Sequence, residues 1–382
     1  MGNKLLNKEI QEYINANLNT DLHTLLLKKS PFTEISMQEI VQQIKGKKVA
    51  QKKFPFLLKE GIIFPPQLNL EQSSSEKTAH YKSEILKGKQ FIDLTSGFGI
   101  DAYYLSQHFK DVTLVEQNAE LLEIVRHNWS VLGRHATFIH QKLENFLQEN
   151  KETFDVIYLD PARRDSHKNK VFLLEDLSPD ILEIQGKLLS VSNQIVIKLS
   201  PLIDLKYLVS VLPNIFRIDI IAVKNDVKEV VVFLSEGKPD KIQCHCINLE
   251  SGEPDFSFTF EEEKNAVSEY SEPEKFIYIP NHSILKAGIF NLISEKFALK
   301  KLHPNTHLYT SHHKIERFPG RVIETEVVEA KQIKKKSQYN IISKNYPLTP
   351  EHIRKKYGLK DGGARYLIFT QSVEGKIILK SV

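Results

Sequence analysis

Phe91-Ile-Asp-Leu-Thr-Ser-Gly-Phe-Gly-Ile-Asp101 is an apolar run that meets two glycines and then opens into a helical pattern, and the fold turns on how this stretch is read. Read as strand, turn and helix, it puts Asp93 near the strand end, Gly97 and Gly99 in the turn and Asp101 at the helix start. Glycines there let backbone approach a ligand closely, the geometry that cradles a nucleotide-like cofactor. A plain tight turn would use the same glycines, so the neighbouring strand ends carry weight. Val112 to Val115 forms a second apolar strand ending in Glu116, about 20 residues on, where an acidic side chain can accept both ribose hydroxyls. A third, Phe154 to Leu159, ends in Asp160-Pro161-Ala162-Arg163-Arg164.

Outward from this stretch, apolar strands alternate with helical patterns from Phe91 to about Leu234, as in a parallel sheet covered on both faces. The expected strands are 91–94, 112–115, 137–140, 156–159, 194–199, 217–223 and 230–234. The helix after the glycines would pack through Ala102, Leu105 and Phe109, and the next through Leu121, Leu122, Val125 and Trp129. Lys224-Asn225-Asp226 suits the turn of an antiparallel hairpin joining the last two strands.

Residues 3 to about 60 read as helical, with Leu5, Leu6, Ile10, Tyr13, Ile14 and Leu18 three and four apart. Ser36 followed by Glu39 forms a capping box ahead of Ile40, Val41 and Ile44. Pro65-Pro66 and Gln72-Ser73-Ser74-Ser75 interrupt regular structure and mark a linker and a first boundary. Beyond Gly237 helical periodicity is weak. Short strands at 242–249 and 256–260 lead to Glu261-Glu262-Glu263, a strand at 276–279 precedes a helix over 283–297, and strands recur from about His312.

The chain has 382 residues, enough for two or three domains of ~150 residues. No segment approaches the ~18 uncharged apolar residues of a membrane span, and the charged N-terminus does not read as a signal peptide, so a cytoplasmic protein is expected. Cys244 and Cys246, two apart in a strand, face one side and cannot close a useful loop, which fits a reducing compartment. Net charge is only +4, but Lys331 to Val382 carries twelve basic residues against three acidic ones, leaving the remainder slightly acidic. That end either meets a polyanion or is a solvated lysine-rich surface. His303, His307, His312 and His313 lack cysteine or carboxylate partners at ligand spacing, so no metal site is expected. Nothing points to an obligate protein partner.

The motifs 93–101, Glu116 and 160–164 resemble those of the class I S-adenosylmethionine-dependent methyltransferases. The resemblance implies an α/β fold: a seven-stranded Rossmann-like sheet for residues 81–237 behind an N-terminal helical domain, 1–80. More narrowly, Asp-Pro-Ala-Arg-Arg, with Ser74-Ser-Glu-Lys-Thr-Ala-His-Tyr-Lys82 upstream and a basic C-terminus, resembles a bacterial group, mostly Bacteroidetes, of methyltransferases ending in a THUMP-like domain. That likeness, carried last by Asn340-Ile-Ile-Ser-Lys-Asn-Tyr-Pro347 and Lys360-Asp-Gly-Gly363, implies a ferredoxin-like α+β segment at 238–311 and a THUMP-like α+β domain at 312–382.

The implied cofactor is S-adenosylmethionine, and the residue chemistry agrees with it. Glu116 suits the ribose, Asp93 the ammonium and the amides near Gly97 and Gly99 the carboxylate. By resemblance Lys142, Leu143 and Glu144 flank the adenine, although packing explains Leu143 as well. Methyl transfer is an in-line displacement, so the protein has to hold the acceptor and manage one proton. Asp160, at the mouth of a central strand, is placed to orient an acceptor amine, and Pro161 fixes its loop. Arg163 and Arg164 suit phosphate groups of an RNA substrate, or an ion pair with Glu175 or Asp176. Lys198 either positions substrate or anchors a loop, and Lys335 and Arg354 lie in the basic stretch expected to grip RNA. Enzymes acting on exocyclic base amines commonly stack the base on an aromatic ring after the Pro; Ala162 and Arg163 stand there, so Phe98, Phe172 or Tyr81 would have to supply it. Neither cysteine falls in the expected cleft, which disfavours carbon methylation and favours a base nitrogen of tRNA or rRNA. Two other readings remain: a dinucleotide-dependent oxidoreductase, because Gly97, Gly99 and Ala102 also fit Gly-x-Gly-x-x-Gly/Ala, and a non-catalytic RNA-binding protein on the same fold.

Overall fold

The computed structural model describes residues 2–163 and 173–382. The chain divides into two compact units, Met1–Ile215 with Val232–Lys238, and Phe216–Val231 with Pro239–Val382.

The first unit begins with six helices: α1 Gly2–Leu5, α2 Lys8–Ala16, α3 Leu22–Leu26, α4 Met37–Lys53, α5 Gln67–Gln72 and α6 Glu76–Ile85. The capping box forms as expected: the Ser36 hydroxyl accepts from Glu39 N at 3.2 Å and the Glu39 carboxylate accepts from Ser36 N at 2.8 Å. Ile10, Ile14, Leu25, Ile40, Val41 and Ile44 bury a small core of their own. The expected linker contains α5, a helix that starts directly after Pro66 and is too short to show in apolar periodicity. Both breaks are real, at the prolines before α5 and at Ser73 to Ser75 after it.

Five parallel strands follow, β1 Gln90–Asp93, β2 Asp111–Glu116, β3 Thr137–His140, β4 Phe154–Leu159 and, after the short β5 Ala162–Arg163 and β6 Leu177–Ser178, β7 Ser192–Leu199. Their order is β7-β4-β1-β2-β3, so β1 and β4 are central. Helices α7 Ile100–Leu105, α8 Ala119–Val131, α9 Leu143–Glu149 and α10 Ile181–Val191 connect them, and α11 Leu205–Val211 follows β7. Ala102, Leu105, Leu121, Leu122, Val125 and Trp129 are buried, as their spacing requires, whereas Phe109 is half-buried and lies beyond α7, which ends at Leu105. Every expected strand forms, β3 to the residue and the others extended or shifted by a few positions.

Strands β8 Ile215–Val223 and β9 Asp226–Leu234, most of whose residues belong to the second unit, are neighbours joined by Lys224 and Asn225, both at positive φ, the mirror-image turn that suits strand twist. On its other side β8 pairs in parallel with β10 Gln243–Leu249, which pairs with antiparallel β11 Phe256–Thr259. These two strands lie beyond the seven expected, because an edge strand with open hydrogen-bonding groups accepts more. The acidic stretch forms α12 Phe260–Asn265, despite its weak helical periodicity, with a capping box between Thr259 and Glu262. A second sheet, in the order β13-β14-β12-β15-β18-β17-β16, uses β12 Phe276–Pro280, β13 Lys300–His303, β14 Thr306–Ser311, β15 Gly320–Val327, β16 Gln338–Ser343, β17 Lys360–Gln371 and β18 Lys376–Ser381. The single helix expected over 283–297 is two, α13 His282–Ala287 and α14 Phe290–Lys296, because Gly288 at φ 72° caps the first. Helix α15 is Pro350–Tyr357.

Candidate active site

Strand register brings the acids together. Asp93 on β1 is level with Leu114 of β2 and Tyr158 of β4, so Glu116 and Asp160 sit just beyond it at the carboxyl ends of parallel neighbours. That end of an open α/β sheet is where ligands bind. A cavity of about 330 Å³ opens there, lined by Asp93, Gly97, Phe98, Gly99, Asp101, Glu116, Leu143, Glu144 and Asp160 among others.

The turn is built from backbone. Ser96 N donates to Val115 O at 3.1 Å, and Gly99 N returns to Ser96 O at 2.7 Å. Gly97 and Gly99 have φ of 52° and 74°. At Gly99 a Cβ would also sit 2.8 Å from Val125 Cγ1 and 3.1 Å from Trp129 Nε1, so only glycine fits between turn and α8. Glu116 accepts from Gly97 N at 2.9 Å and Asn118 N at 2.8 Å, which fixes its carboxylate and leaves acceptor directions for hydroxyls. Thr95 couples two strand ends: its N donates to Asp93 Oδ1 at 2.9 Å while its hydroxyl accepts from Asp160 N at 2.7 Å.

The electrostatics are those of a buried charge chain. Asp101 lies on α7, 7% exposed, with Lys82 Nζ 2.8 Å from Oδ1, while Oδ2 takes Ser74 Oγ at 2.7 Å, Tyr158 Oη at 2.9 Å and Lys198 Nζ at 3.3 Å. Lys198 reaches on to the Asp160 carboxylate, its closest ion-pair partner. Burial pushes the Asp101 carboxyl up, but Lys82 and Lys198 outweigh it and hold it well below the usual range. Burial raises Asp160, Lys198 opposes and Asp101 adds to the rise. For Asp93 no cation opposes the rise among the described residues: burial, reinforced by Asp101, Asp160 and Glu116, drives it well above the ordinary carboxylate value, against the Thr95 N–H bond. The site therefore has a surplus of carboxylate and suits a cationic ligand.

Of the remaining expected residues, Lys142 is the N-terminal cap position of α9, exposed and not among the residues that line the cavity, and Pro161 is buried. Arg163 is exposed on β5, which pairs with β6, and Glu175 is engaged by the Tyr207 hydroxyl. Arg164 and Phe172 lie outside the described residues. Phe98 lines the cavity but is buried edge-on against Phe54, 6.3 Å between centroids. Tyr81 is half-buried. Lys198 is a buried ion-pair partner, 8% exposed. Lys335 and Arg354 do not line the cavity, and Arg354 pairs with Asp361 at 2.5 Å. Sequence reasoning gave no role to Ser74, Lys82 or Tyr158, nor to Asn69 and Ser73, which line the cavity from the supposed linker. Two signals were available: a lysine on the apolar face of α6, and the stretch 74–82 that carried the narrower resemblance.

Comparison with known proteins gives five findings. The family described as conserved hypothetical protein 95 matches residues 76–184. A ferredoxin-like domain matches 276–319, and a THUMP domain-like family matches 321–379. A crystal structure described as "putative methyltransferase from Porphyromonas gingivalis W83" is similar over 100% of this chain and 98% of that one, at 30% identity and a TM-score of 0.87. An uncharacterized RNA methyltransferase of Mycoplasma mobile is 29% identical over 198 residues, 47% of this chain and 54% of that protein, so the chain spans about half the length of this curated relative.

Proposed function

The chain belongs to the methyltransferase family of the Porphyromonas gingivalis protein, and from that premise we propose that it transfers a methyl group from S-adenosylmethionine to a base nitrogen of RNA. The observation that carries the reading is the row of acids, Asp93, Glu116 and Asp160, at the ends of adjacent parallel strands around a positive-φ glycine turn. S-adenosylmethionine presents ribose hydroxyls, an ammonium, a carboxylate and a methyl group activated on a sulfonium. Glu116 accepts the hydroxyls, Asp93 the ammonium, and amides of the 97–99 turn approach the carboxylate. Lys142, Leu143 and Glu144 border the adenine.

Displacement at the methyl needs no covalent help from protein, only alignment and removal of one proton. Asp160 accepts a hydrogen bond from the acceptor amine and draws off its proton as the new bond forms, while Lys198 opposes the upward push of burial on its carboxyl. Carbon methylation through a thiolate is disfavoured, because Cys244 and Cys246 are buried in β10 and burial raises both thiols. RNA is supported by the activity in the name of the Mycoplasma mobile relative and by the basic stretch from Lys331 to Val382. We divide the chain into the helical residues 1–80, the methyltransferase domain 81–237, a ferredoxin-like segment 238–311 and a THUMP-like domain 312–382. Arg163, Arg164, Lys335 and Arg354 are the phosphate contacts in this reading.

Isothermal titration with S-adenosylmethionine tests the cofactor: binding is expected, with loss of at least about tenfold in Asp93→Ala. Methyl incorporation from labelled cofactor into total RNA of a deletion strain, followed by nucleoside analysis, tests the acceptor. A label in protein instead of RNA, or on a base carbon, refutes the substrate half.

A further inference from the structure

Lys82 belongs to α6, ahead of the sheet, and is not among the residues that line the cavity, yet it is completely buried. Burying an ammonium is expensive, and an apolar side chain of similar length would dock α6 against the sheet at less cost. The position of its charge relative to the other groups gives it a use. Lys82 holds Asp101 Oδ1 at 2.8 Å, while Lys198 stands 3.3 Å from Oδ2 and makes its closest ion pair with Asp160. With Asp101 largely neutralised by Lys82, Lys198 leans toward Asp160. Without Lys82, Lys198 would be the cation paired with Asp101 among the described residues, and Asp101 would draw it back.

We infer that Lys82 is a positioning residue of the methyl-transfer site: through Asp101 and Lys198 it decides how Asp160 is oriented and charged toward the acceptor. The inference rests on the reading of Asp160 as the group that holds the acceptor. Among the described residues, the charged or titratable groups facing Asp160 include Lys198 from β7, Asp101 from α7, Lys82 from α6 and Asp93 from β1, with Tyr158 of β4 bonded to Asp101. Removal of the Lys82 charge therefore acts on Asp160 twice, by its own field and by the retreat of Lys198, and both raise the pH at which Asp160 ionises.

The test is carbon-detected NMR titration of the aspartate carboxyls in the full chain, with Asp160 assigned by its loss in Asp160→Asn. Lys82→Met is expected to move the Asp160 midpoint upward by about half a pH unit or more, and Lys82→Arg to leave it in place. Coincident midpoints in wild type and Lys82→Met would overturn the inference. Should Lys82→Met not fold, the charge-balanced pair Lys82→Met with Asp101→Asn replaces it: Asp101 then no longer competes with Asp160 for the charge of Lys198, so the midpoint stays at or below the wild-type one, and a rise refutes the relay. Methyl incorporation into total RNA across pH separates the two levels. If the midpoint moves while wild type methylates nothing, the coupling stands and the methyl-transfer reading falls. If wild type methylates RNA and the acid limb of Lys82→Met does not follow upward, the positioning role is wrong.

Discussion

Asp93 shows at the scale of one residue how a binding site stores a cost. Its carboxyl is 1% exposed, and burial together with three neighbouring acids raises its pKa well above the ordinary value. The folded chain therefore keeps a proton where the unfolded chain has lost it. The stability this gives is fully present below the unfolded pKa and is lost as pH rises through the folded one. Asn at this position keeps the acceptor for Thr95 N and has no charge to bury. Asp93→Asn is thus expected to melt a few degrees above wild type near pH 8 without cofactor, with the gap closing toward pH 4; a variant that melts lower at pH 8 contradicts this. A bound ammonium reverses the balance by favouring the carboxylate, so binding releases a proton and the dissociation constant for S-adenosylmethionine rises as pH falls. Titrations from pH 8 to pH 5 check it, and a flat profile in wild type would remove Asp93 from the ammonium site.

At the scale of elements, the segment after α4 is an extended strap held by side chains in place of a sheet. Asn128 of α8 accepts from Ile63 N at 2.9 Å and donates to Ile63 O at 2.8 Å, and Gln43 of α4 does the same for Phe64 at 2.8 and 2.9 Å. Helix and strap approach so closely that a Cβ on Gly46 would lie 2.2 Å from Phe64 Cβ. Asn128→Ala strands both main-chain groups of Ile63 and is expected to cost about 2 kcal/mol or more in urea unfolding. Gly46→Ala, by overpacking, should cost about 1–3 kcal/mol; a neutral result for either would mean the strap moves aside freely. This strap explains what the sequence hid. Strand ends were legible because an apolar run, a glycine pair and an acid are local signals, so Asp93, Gly97, Gly99, Glu116 and Asp160 could be named from spacing. Ser74 and Lys198 meet Asp101 across 27 and 97 positions, and no periodicity encodes such a meeting. Helix α12 escaped because its signal is a cap and a charge run with no buried residue, and the break at Gly288 because one positive-φ glycine ends a helix whose apolar pattern continues.

For the whole molecule the question is what the excess positive charge of residues 331–382 does, nine units in a chain whose total is +4. Cutting the chain at residue 312 would be a poor test. Strand β12 pairs with β14 on one side and with β15 on the other, from Phe276 opposite Glu324 to Pro280 opposite Gly320, so the deletion opens a sheet and exposes its edge. Charge can be removed without cutting. Lys334, Lys335 and Lys336 are exposed and lie between the 3₁₀ turn at Ala330–Gln332 and β16, and no ion pair involving them occurs among the described residues. Their replacement by Ala therefore touches little of the core. If they contact RNA phosphates, the slope of log binding constant against log salt should fall in size by about 2, at ~0.7 per phosphate contact on single strands, with cofactor affinity unchanged. Filter binding of total tRNA and rRNA between low and physiological salt reads that slope. An unaltered slope with intact methyl transfer would make the lysines a solvated surface and leave substrate grip to residues near the cavity, Arg163 first among them. A loss of affinity that is the same at every salt concentration would point to displaced structure, not to lost phosphate contacts, because only released counterions make binding depend on salt in this way.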